Sequence, residues 1–593
     1  MKHLSLIKTI VPFVFVWLLI TLPHFQVMKY QRVSKSELSY TPMHLNNYFT
    51  RMDDLFYLFP IINVYRNHTI YGRLSSYDFK DSLDPVVLQN LLPVLVNAGI
   101  ICITRSTESP FYALGIFVAL AFIFIYKIVY HTTQDSIFSY AIAFVVIFAY
   151  HQFFLSNLER DWINAFSYKI HNDIDNNSLY ELNSFYRLIT FGGTYWYYLA
   201  FTYALIKILD GHIELKNTLM AAGLYGIMFY TYIFYTVATS GILFFLLLTS
   251  IVKKQIHVKP IAIIIVVGLI IGLPNVILIK MLLAGGHQDY LLRMGISKPA
   301  MFWDTLRLAI LMIIMFLVMK KSSFKSIALS LGATIIIFEN LSYTVGLHIQ
   351  TGHLYHRGAY PHIVIAIFLL LYSIFHYNKY IYTYVFRPLV VCLAIFFTYE
   401  AYHYSEAYAL NTYKDQGITQ EQEKLFLWLK GNTTKDDVVG SLSIDISYIL
   451  PLHVPIHVYT PFATTYPPKT SNGEIAERLA LLLYLADAND EDIKAYLEPK
   501  GSYMESRYVN FYFWYSTGRA DYKSVSLESL CMEVRNKLSL IRKTPILYLS
   551  KHRINYFIMA NQLTKEKMFV SYNKSFMNEI NNFGHYRIFQ IKK

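Results

Sequence analysis

The stretch "IAIIIVVGLIIGLPNVILI", residues 261–279, contains no charged side chain. A helix needs about 20 mostly apolar residues to cross the hydrocarbon core of a bilayer, and a second run of similar length covers residues 301–319. Of the 593 residues of the chain, 55% are hydrophobic and 15% are charged, whereas soluble globular proteins carry about 25% charged residues. The sequence therefore predicts an α-helical polytopic membrane protein.

Apolar segments of this kind recur over residues 1–403 and predict about eleven transmembrane helices. They cover roughly residues 6–26, 110–128, 136–155, 190–208, 217–235, 237–252, 260–280, 302–319, 326–347, 361–376 and 385–402. Residues 1–27 resemble a signal peptide, but the apolar stretch is long and "TLPHFQ" offers no small-residue cleavage site. We expect an uncleaved first helix with its N-terminus in the cytoplasm.

Lysine residues favour one orientation of these helices. With the N-terminus inside, every cytoplasmic turn receives at least one basic residue: Lys127, Lys207, Lys216, Lys253, Lys254, Lys259, Lys320, Lys321, Lys325, Lys379 and Arg387. This is the distribution that the positive-inside rule expects. The abundance of Lys, Ile, Asn and Tyr is typical of an AT-rich bacterial genome. We therefore predict a bacterial inner (cytoplasmic) membrane protein with its C-terminal part extracytoplasmic.

Residues 86–103, "VVLQNLLPVLVNAGIICI", leave an alternative open. This run is nearly long enough to cross, and a crossing here would reverse the orientation of every later helix. Its polar residues Gln89, Asn90 and Asn97, together with Pro93, are more typical of a helix that lies in the membrane interface. We interpret it as interfacial, within a first outer loop at residues 28–109.

The last part of the chain, residues 404–593, has frequent charges and no spanning run. Helices are predicted at "TQEQEKLFLWLKGN" (419–432), which opens with a capping-box pattern, and at "GEIAERLALLLYLADA" (473–488). Strands are predicted at "DDVVGSL", "PIHVY", "INYFIMA" and "HYRIFQIK". Alternating helices and strands indicate a small extracytoplasmic α/β domain. It contains no Gly-rich phosphate loop and no G-x-S-x-G motif, so we assign it no chemistry.

The net charge of +13 does not indicate nucleic-acid binding, because the basic residues cluster beside apolar runs. The expected contacts are membrane lipids. The three cysteines, Cys102, Cys392 and Cys531, have neither a metal-binding spacing nor the pattern of a disulfide framework.

Two adjacent carboxylates, Asp53 and Asp54, lie in "RMDDLFYLFP" at residues 51–60, inside the predicted first outer loop. They could solvate a loop helix. However, the apolar residues that follow should keep at least one carboxylate away from bulk water. Neighbouring carboxylates also raise each other's pKa, which suits one of them to proton transfer. The pair is the strongest catalytic candidate in the sequence.

"DDLFY" resembles the D-D/E-x-x-Y motif in the first outer loop of the C-type membrane glycosyltransferases, the GT-C superfamily. The order of parts is also similar: a first helix, a long outer loop, a bundle of spans and a C-terminal outer domain. The resemblance implies a polyprenyl-phosphate sugar donor, with Asp53 activating the acceptor and Asp54 assisting. The sequence has no W-W-D-Y-G, which disfavours the oligosaccharyltransferase branch.

A second acidic cluster, "LERDW" at residues 158–162, falls in the next predicted outer loop. The resemblance implies that Glu159 or Asp161 helps to bind the acceptor or a metal. An ordinary solvated loop is an equally good interpretation. Transferases of this family that use polyprenyl monophosphate sugars usually need no metal, so no cofactor is firmly expected and a divalent metal stays open.

The loop "HIQTGHLYHRGAYP", residues 348–361, concentrates groups that can bind an anion near the membrane: His348, His353, His356 and Arg357. Arginine binds phosphate through two parallel hydrogen bonds. A single histidine would more often be a packed core residue, but three beside an arginine favour a phosphate site. We predict that His353, His356 and Arg357 bind the donor phosphate.

Glu339 and Arg307 are two of the charged residues that lie inside predicted spans. Glu339 is surrounded by apolar residues, where a charge is costly and usually functional or paired. Arg307 lies near the start of its span and could bind a lipid phosphate, or it could extend to the interface as an anchor.

These features predict a membrane glycosyltransferase that transfers a sugar from a polyprenyl phosphate to a glycan, lipid or protein acceptor with inversion at the anomeric carbon. The alternative is a non-enzymatic transporter or flippase for a lipid-linked glycan. The concentration of polar groups in outer loops, rather than at mid-membrane on several helices, favours the enzyme.

Overall fold

A computed structural model describes residues 2–33, 38–40, 60–66, 68, 91–149, 192–283, 296–297, 304–345, 348–349, 354–460, 471–489, 493, 527–560 and 572–592. Five of the predicted site residues lie outside them: Asp53, Asp54, Glu159, Asp161 and His353.

The first part of the chain is a bundle of α-helices. Their bounds are α1 Lys2–Val33, α2 at 60–66, α3 Leu91–Thr104, α4 Ser109–Thr133, α5 Ser136–Phe148, α6 Tyr195–Leu209, α7 Leu215–Met228, α8 Ile233–Val252, α9 Val258–Leu283, α10 Asp304–Val318, α11 Ser323–Val345, α12 Tyr360–Phe375 and α13 Arg387–Gln416. Each of the eleven predicted segments overlaps at least one of these helices.

Five stretches of helix are long and apolar enough to cross a membrane. They are Thr9–Gln26, Ser109–Thr133, Ile233–Val252, Val258–Leu278 and Lys379–His403. The remaining helices of the bundle are shorter or less apolar, so the larger number of crossings stays a prediction.

Close helix packing occurs between α7 and α9. A Cβ atom added at Gly268 or Gly272 would meet the ring of Tyr225 or Phe229, and Gly226 of α7 faces α9 in the same way. Glycines four residues apart allow two membrane helices to approach closely. The sequence "GLIIG" therefore has a packing role at this contact.

Three connections between helices meet at one end of the bundle. Asp210, which ends α6, contacts the imidazole of His131 near the end of α4 and the hydroxyl of Ser323 at the start of α11. These contacts bring the ends of α4, α6 and α10 together. The predicted cytoplasmic residues Lys207 and Lys320 lie in or beside these connections.

A fourth connection joins this end through Asp135, the N-cap residue of α5. Its carboxylate accepts hydrogen bonds from Phe138 N at 3.0 Å, the Tyr382 hydroxyl at 2.7 Å and Arg387 Nη1 at 3.4 Å. Burial raises the pKa of Asp135, but these donors outweigh it and the net pKa is lowered. Four of the turns predicted to be cytoplasmic thus lie at the same end, here named the Asp135 end.

Helix α3 lies at the opposite end of the bundle. Its Leu92 N–H donates to Tyr230 O at 2.9 Å, in the turn between α7 and α8. At its other terminus the Thr104 hydroxyl donates to the Ser109 hydroxyl at 2.7 Å, where α4 begins. Both termini of α3 are therefore remote from the Asp135 end, which supports the predicted interfacial placement.

The C-terminal part contains a five-stranded mixed sheet. Its strands are β5 Val438–Ser441, β6 His457–Val458, β7 Tyr556–Ala560, β8 Met577–Phe583 and β9 Tyr586–Ile591, in the order β6-β5-β7-β9-β8. β5 is parallel to both of its neighbours, whereas β9 is antiparallel to β7 and β8. The four predicted strands are confirmed, and β8 is an additional edge strand.

Helices cover both faces of this sheet. They are α14 Gln420–Asn432, α15 Ile444–His453, α16 Asn472–Leu485, α17 Leu527–Lys543 and α18 Pro545–His552. The predicted capping box of α14 is present, with Thr419 Oγ1 accepting from Gln422 N at 3.1 Å and Gln422 Oε1 accepting from Thr419 N at 3.0 Å. The predicted α/β architecture of the C-terminal part is thus confirmed.

The predicted domain boundary at residue 404 lies inside a continuous helix, because α13 extends to Gln416. The strand β4, Gly417–Thr419, follows directly and pairs with β1, Leu38–Tyr40, from the first predicted outer loop. The pairing is antiparallel, with Leu38 opposite Thr419. The first outer loop and the start of the C-terminal part are therefore joined.

Candidate functional site

Two of the predicted phosphate-binding residues, His356 and Arg357, lie on a π-helical turn, Leu354–Gly358. The sequence indicated a glycine-flanked loop here; the chain instead forms a helical turn that leads into α12 after one residue. π-helical turns are rare and often occur at functional sites, since they insert an extra residue into a helix. The turn is the centre of the candidate site.

Apolar residues anchor this turn in the bundle. Leu354 and Tyr355 are buried, as is Ala359 directly after the turn. Gly358 lies so close to α8 that an added Cβ would be 3.4 Å from Phe234 Cβ and 3.0 Å from Leu354 Cδ1. The backbone of His356 and Arg357 is thus fixed between anchored positions.

The loop that precedes the turn is joined to another predicted outer loop. The strands β2, Ile296–Ser297, and β3, His348–Ile349, are antiparallel, with Ser297 opposite His348. This pairing brings together the connection between α9 and α10 and the connection between α11 and α12.

Beneath the turn lies a buried polar cluster around His362, a residue of α12. The ring of His362 is 1% exposed. Its Nε2 atom is 2.8 Å from Thr202 Oγ1, and its Nδ1 atom is 3.4 Å from the Tyr195 hydroxyl. The Tyr195 hydroxyl also lies 3.3 Å from Gly358 O, the last carbonyl of the turn. The cluster therefore connects the interior of α6 and α12 to the turn.

Aromatic rings enclose this cluster. The Tyr198 ring lies 4.3 Å from His362 between centroids, and Tyr235 of α8 lies 5.2 Å from Tyr195 and 5.5 Å from Tyr198. The Tyr360 hydroxyl donates to Ala149 O at 3.3 Å, which brings the start of α12 beside the end of α5. The turn thus has a rigid, largely apolar support.

Sequence reasoning missed His362. It lies in "YPHIVIAIF", an apolar run in which a titratable side chain is as unusual as the glutamate at position 339. The same criterion, a costly polar group inside a span, would have selected it.

Arg307 and Glu339 lie on α10 and α11, two helices that pack against each other. Arg307 is partly buried in the first turn of α10, and Glu339 of α11 is 1% exposed. The adjacent Asn340 donates to Thr305 Oγ1 at 3.1 Å, which fixes the start of α10 to α11. α11 also contacts the π-helical turn. The π-helical turn and the helix that carries Arg307 therefore both contact α11.

The structure does not test the other predicted site residues. Asp53, Asp54, Glu159, Asp161 and His353 lie outside the described residues. The side chains of His356 and Arg357 are not described, so the predicted phosphate contacts stay predictions. Within the described ranges, no group of three or more His, Cys, Asp or Glu side chains could hold a metal ion.

No family model and no curated protein matches the sequence. Similar solved structures include the oligosaccharyltransferase of Archaeoglobus fulgidus in its apo form, tethered to an acceptor peptide with an NVT sequon, and in complex with Zn and sulfate. Identities are 10%, 9% and 10%, and TM-scores are 0.44, 0.43 and 0.44. The alignments cover 93% of this chain and 69%, 69% and 68% of the solved chains. A likeness at this level assigns neither the fold nor the chemistry of this chain.

Proposed function

We propose that the protein is an inverting membrane glycosyltransferase with a polyprenyl-phosphate sugar as its donor. The observation that carries the proposal is the π-helical turn Leu354–Gly358, which fixes the backbone of His356 and Arg357. The turn lies on the far side of the bundle from the Asp135 end, since α12 leads from the turn to the connection at Tyr382. Donor lipid would approach it from the bilayer.

The donor phosphate is bound by His356 and Arg357, with Arg307 and His353 as further cations. A guanidinium forms two parallel hydrogen bonds to a phosphate, and the attraction between the two charges is stronger where apolar neighbours exclude water. Leu354 and Tyr355 supply such neighbours within the turn. The lipid tail remains among the apolar helices.

The reaction is a single displacement at the anomeric carbon. Asp53 removes the proton from the acceptor hydroxyl as its oxygen forms a bond to that carbon, and the bond from the carbon to the phosphate oxygen breaks. The polyprenyl phosphate leaves with the bonding electrons, so no covalent enzyme intermediate forms and the configuration inverts. Asp54 orients Asp53, while Glu159 or Asp161 binds the acceptor or a metal.

The C-terminal α/β domain shares a side with the first outer loop, since β1 pairs with β4. A domain beside the loop that carries Asp53 is in a position to present an acceptor glycan, lipid or protein. We place this assembly outside the inner membrane of a bacterium.

The test uses purified full-length protein in detergent with radiolabelled polyprenyl-phosphate sugars and an acceptor extract from the host. Transfer of label to the acceptor, with release of polyprenyl phosphate, is the expected result. Movement of the intact labelled lipid between the leaflets of proteoliposomes, without sugar release, would instead establish a flippase.

A further inference from the structure

The hydrogen atoms of the polar cluster beneath the π-helical turn can be assigned from the donors present. The Thr202 hydroxyl donates its one proton to Tyr198 O at 3.0 Å. With this proton placed on Tyr198 O, the Thr202 oxygen accepts at its 2.8 Å contact with His362 Nε2. Nε2 then carries the imidazole proton, and in a neutral ring Nδ1 is an acceptor.

Among the described residues, two acceptors lie within hydrogen-bond distance of the Tyr195 hydroxyl. It lies 3.4 Å from His362 Nδ1 and 3.3 Å from Gly358 O. Gly358 ends the π-helical turn, so the imidazole and the turn share one proton donor. His362 therefore contacts the same hydroxyl that contacts the turn.

Burial makes this link rigid. Tyr195 is 0% exposed and His362 is 1% exposed. A buried carbonyl or imidazole nitrogen that loses its partner cannot turn to water, so its desolvation is uncompensated. Gly358 also packs against Phe234, which limits displacement of the turn toward α8.

We propose that Tyr195 and His362 are positioning residues that hold the turn Leu354–Gly358 in the conformation in which His356 and Arg357 bind the phosphate group of a lipid. The identity of the ligand rests on the proposed function. The role of Tyr195 and His362 in holding the turn does not. Tyr195 acts through the Gly358 carbonyl, and His362 acts by orienting Tyr195.

The test compares two phenylalanine variants of one helix. Tyr195→Phe removes the hydroxyl that links His362 to Gly358. Tyr198→Phe is the matched control, since Tyr198 is equally buried and its hydroxyl has no hydrogen-bond partner among the described residues. Hydrogen–deuterium exchange of residues 354–358 reports the turn, titration with dodecyl phosphate reports phosphate binding, and thermal unfolding reports the whole fold.

In Tyr195→Phe we expect faster exchange over 354–358 and about fivefold weaker binding of dodecyl phosphate, the effect of one neutral hydrogen bond. Tyr198→Phe should match the wild type in both. Tyr195→Phe should unfold at a lower temperature than Tyr198→Phe, because it leaves the buried Gly358 carbonyl and His362 Nδ1 without this hydroxyl. If a transfer assay is established, Tyr195→Phe should raise the donor KM and leave kcat unchanged.

Equal exchange over 354–358 in the wild type and Tyr195→Phe would overturn the proposal. A wild type that does not bind dodecyl phosphate would instead refute the phosphate role in the proposed function. The exchange measurement would still decide whether Tyr195 positions the turn.

Discussion

Arg66 of the first predicted outer loop donates a hydrogen bond to the carbonyl of Leu452 in the C-terminal part, 386 residues further along the chain. Its Nη2 atom donates to Leu452 O at 2.6 Å, and its Nη1 atom donates to Pro451 O at 2.9 Å. The last carbonyls of a helix have no partner within the helix, and these two lie in the final turn of α15. One guanidinium thus joins α2 to the C-terminal part.

This contact constrains the number of membrane crossings. Arg66 and Leu452 lie on one side of the membrane, so an even number of crossings must separate them. Of the eleven predicted segments, the first precedes Arg66, and the ten others satisfy this condition. A crossing by α3 would add an eleventh crossing between the two residues and place them on opposite sides. The contact therefore excludes a crossing by α3 in this topology, in agreement with both ends of α3 lying away from the Asp135 end.

The first prediction concerns this topology. A phosphatase reporter that folds only outside the cytoplasm should be active when it is fused after Lys593. The same reporter inserted after Lys254, in the turn between α8 and α9, should be inactive because the positive-inside rule places this turn in the cytoplasm. The reverse pattern would refute the orientation and remove Asp53 from the outer face.

The second prediction concerns acid stability of the C-terminal part. Burial, with Arg66 and Lys430 nearby, lowers the pKa of His453 to about 4, whereas an unfolded histidine has a pKa of about 6.5. Between these values the unfolded chain binds a proton that the folded chain does not bind. The contribution of neutral His453 to the free energy of unfolding is therefore complete above about pH 6.5. It is lost as the pH falls toward 4.

His453→Phe should flatten this pH dependence. Phenylalanine can keep the stacking on Phe426, whose ring centroid lies 5.0 Å from that of His453, but it does not titrate. Between pH 4 and 7, the unfolding temperature of His453→Phe should change less than that of the wild type. His68→Gln, at an exposed position, is the control. If the unfolding temperature changes equally with pH in all three proteins, the pH dependence does not come from His453.

The third prediction concerns the contact between α7 and α9. Gly268→Ala places a methyl group against the Tyr225 ring, and overpacking of this kind costs about 1–3 kcal/mol. Gly223→Ala is the matched control on α7, where an added Cβ meets nothing within 4 Å. Unfolding in detergent should begin at a lower temperature in Gly268→Ala only. Equal unfolding temperatures would mean that the helices separate easily at this contact.

Local sequence patterns predicted the helices and strands that depend mainly on residues close together in the chain. Apolar runs located the helices of the bundle, and Thr419 with Gln422 located the start of α14 through a capping box that is present in the structure. Residue alternation located β7 and β9. The edge strand β8 was missed because "MNEINNF" is polar and owes its strand conformation to pairing with β9.

The parts that sequence reasoning missed depend on distant partners. The π-helical turn at Leu354–Gly358 was not predicted, and its last residue contacts Tyr195 and Phe234 on other helices. The pairing of β1 with β4 and the bonds from Arg66 join residues that are hundreds of positions apart. Patterns along the chain carry no information about such pairs.

The fourth prediction concerns the donor phosphate. Arg357→Lys keeps a positive charge but loses the two parallel hydrogen bonds of a guanidinium, so the donor KM should rise; Arg357→Ala should raise it further. Arg105→Lys, at an exposed site between α3 and α4, should leave the donor KM unchanged. A donor KM that is the same in the wild type and both Arg357 variants would exclude Arg357 from the phosphate site.

The fifth prediction returns to the acidic pair in "RMDDLFYLFP". Asp53→Asn keeps the size of the side chain and removes the basic carboxylate, so kcat should fall by roughly 10²–10⁴-fold, the usual contribution of a general base. Asp54→Asn should cost less, because Asp54 acts through Asp53. Asp436→Asn, in an exposed turn of the C-terminal part, is the control for expression and folding. A nearly normal Asp53→Asn beside an inactive Asp54→Asn would exchange the two roles, and normal turnover in both would show that the pair only solvates its segment.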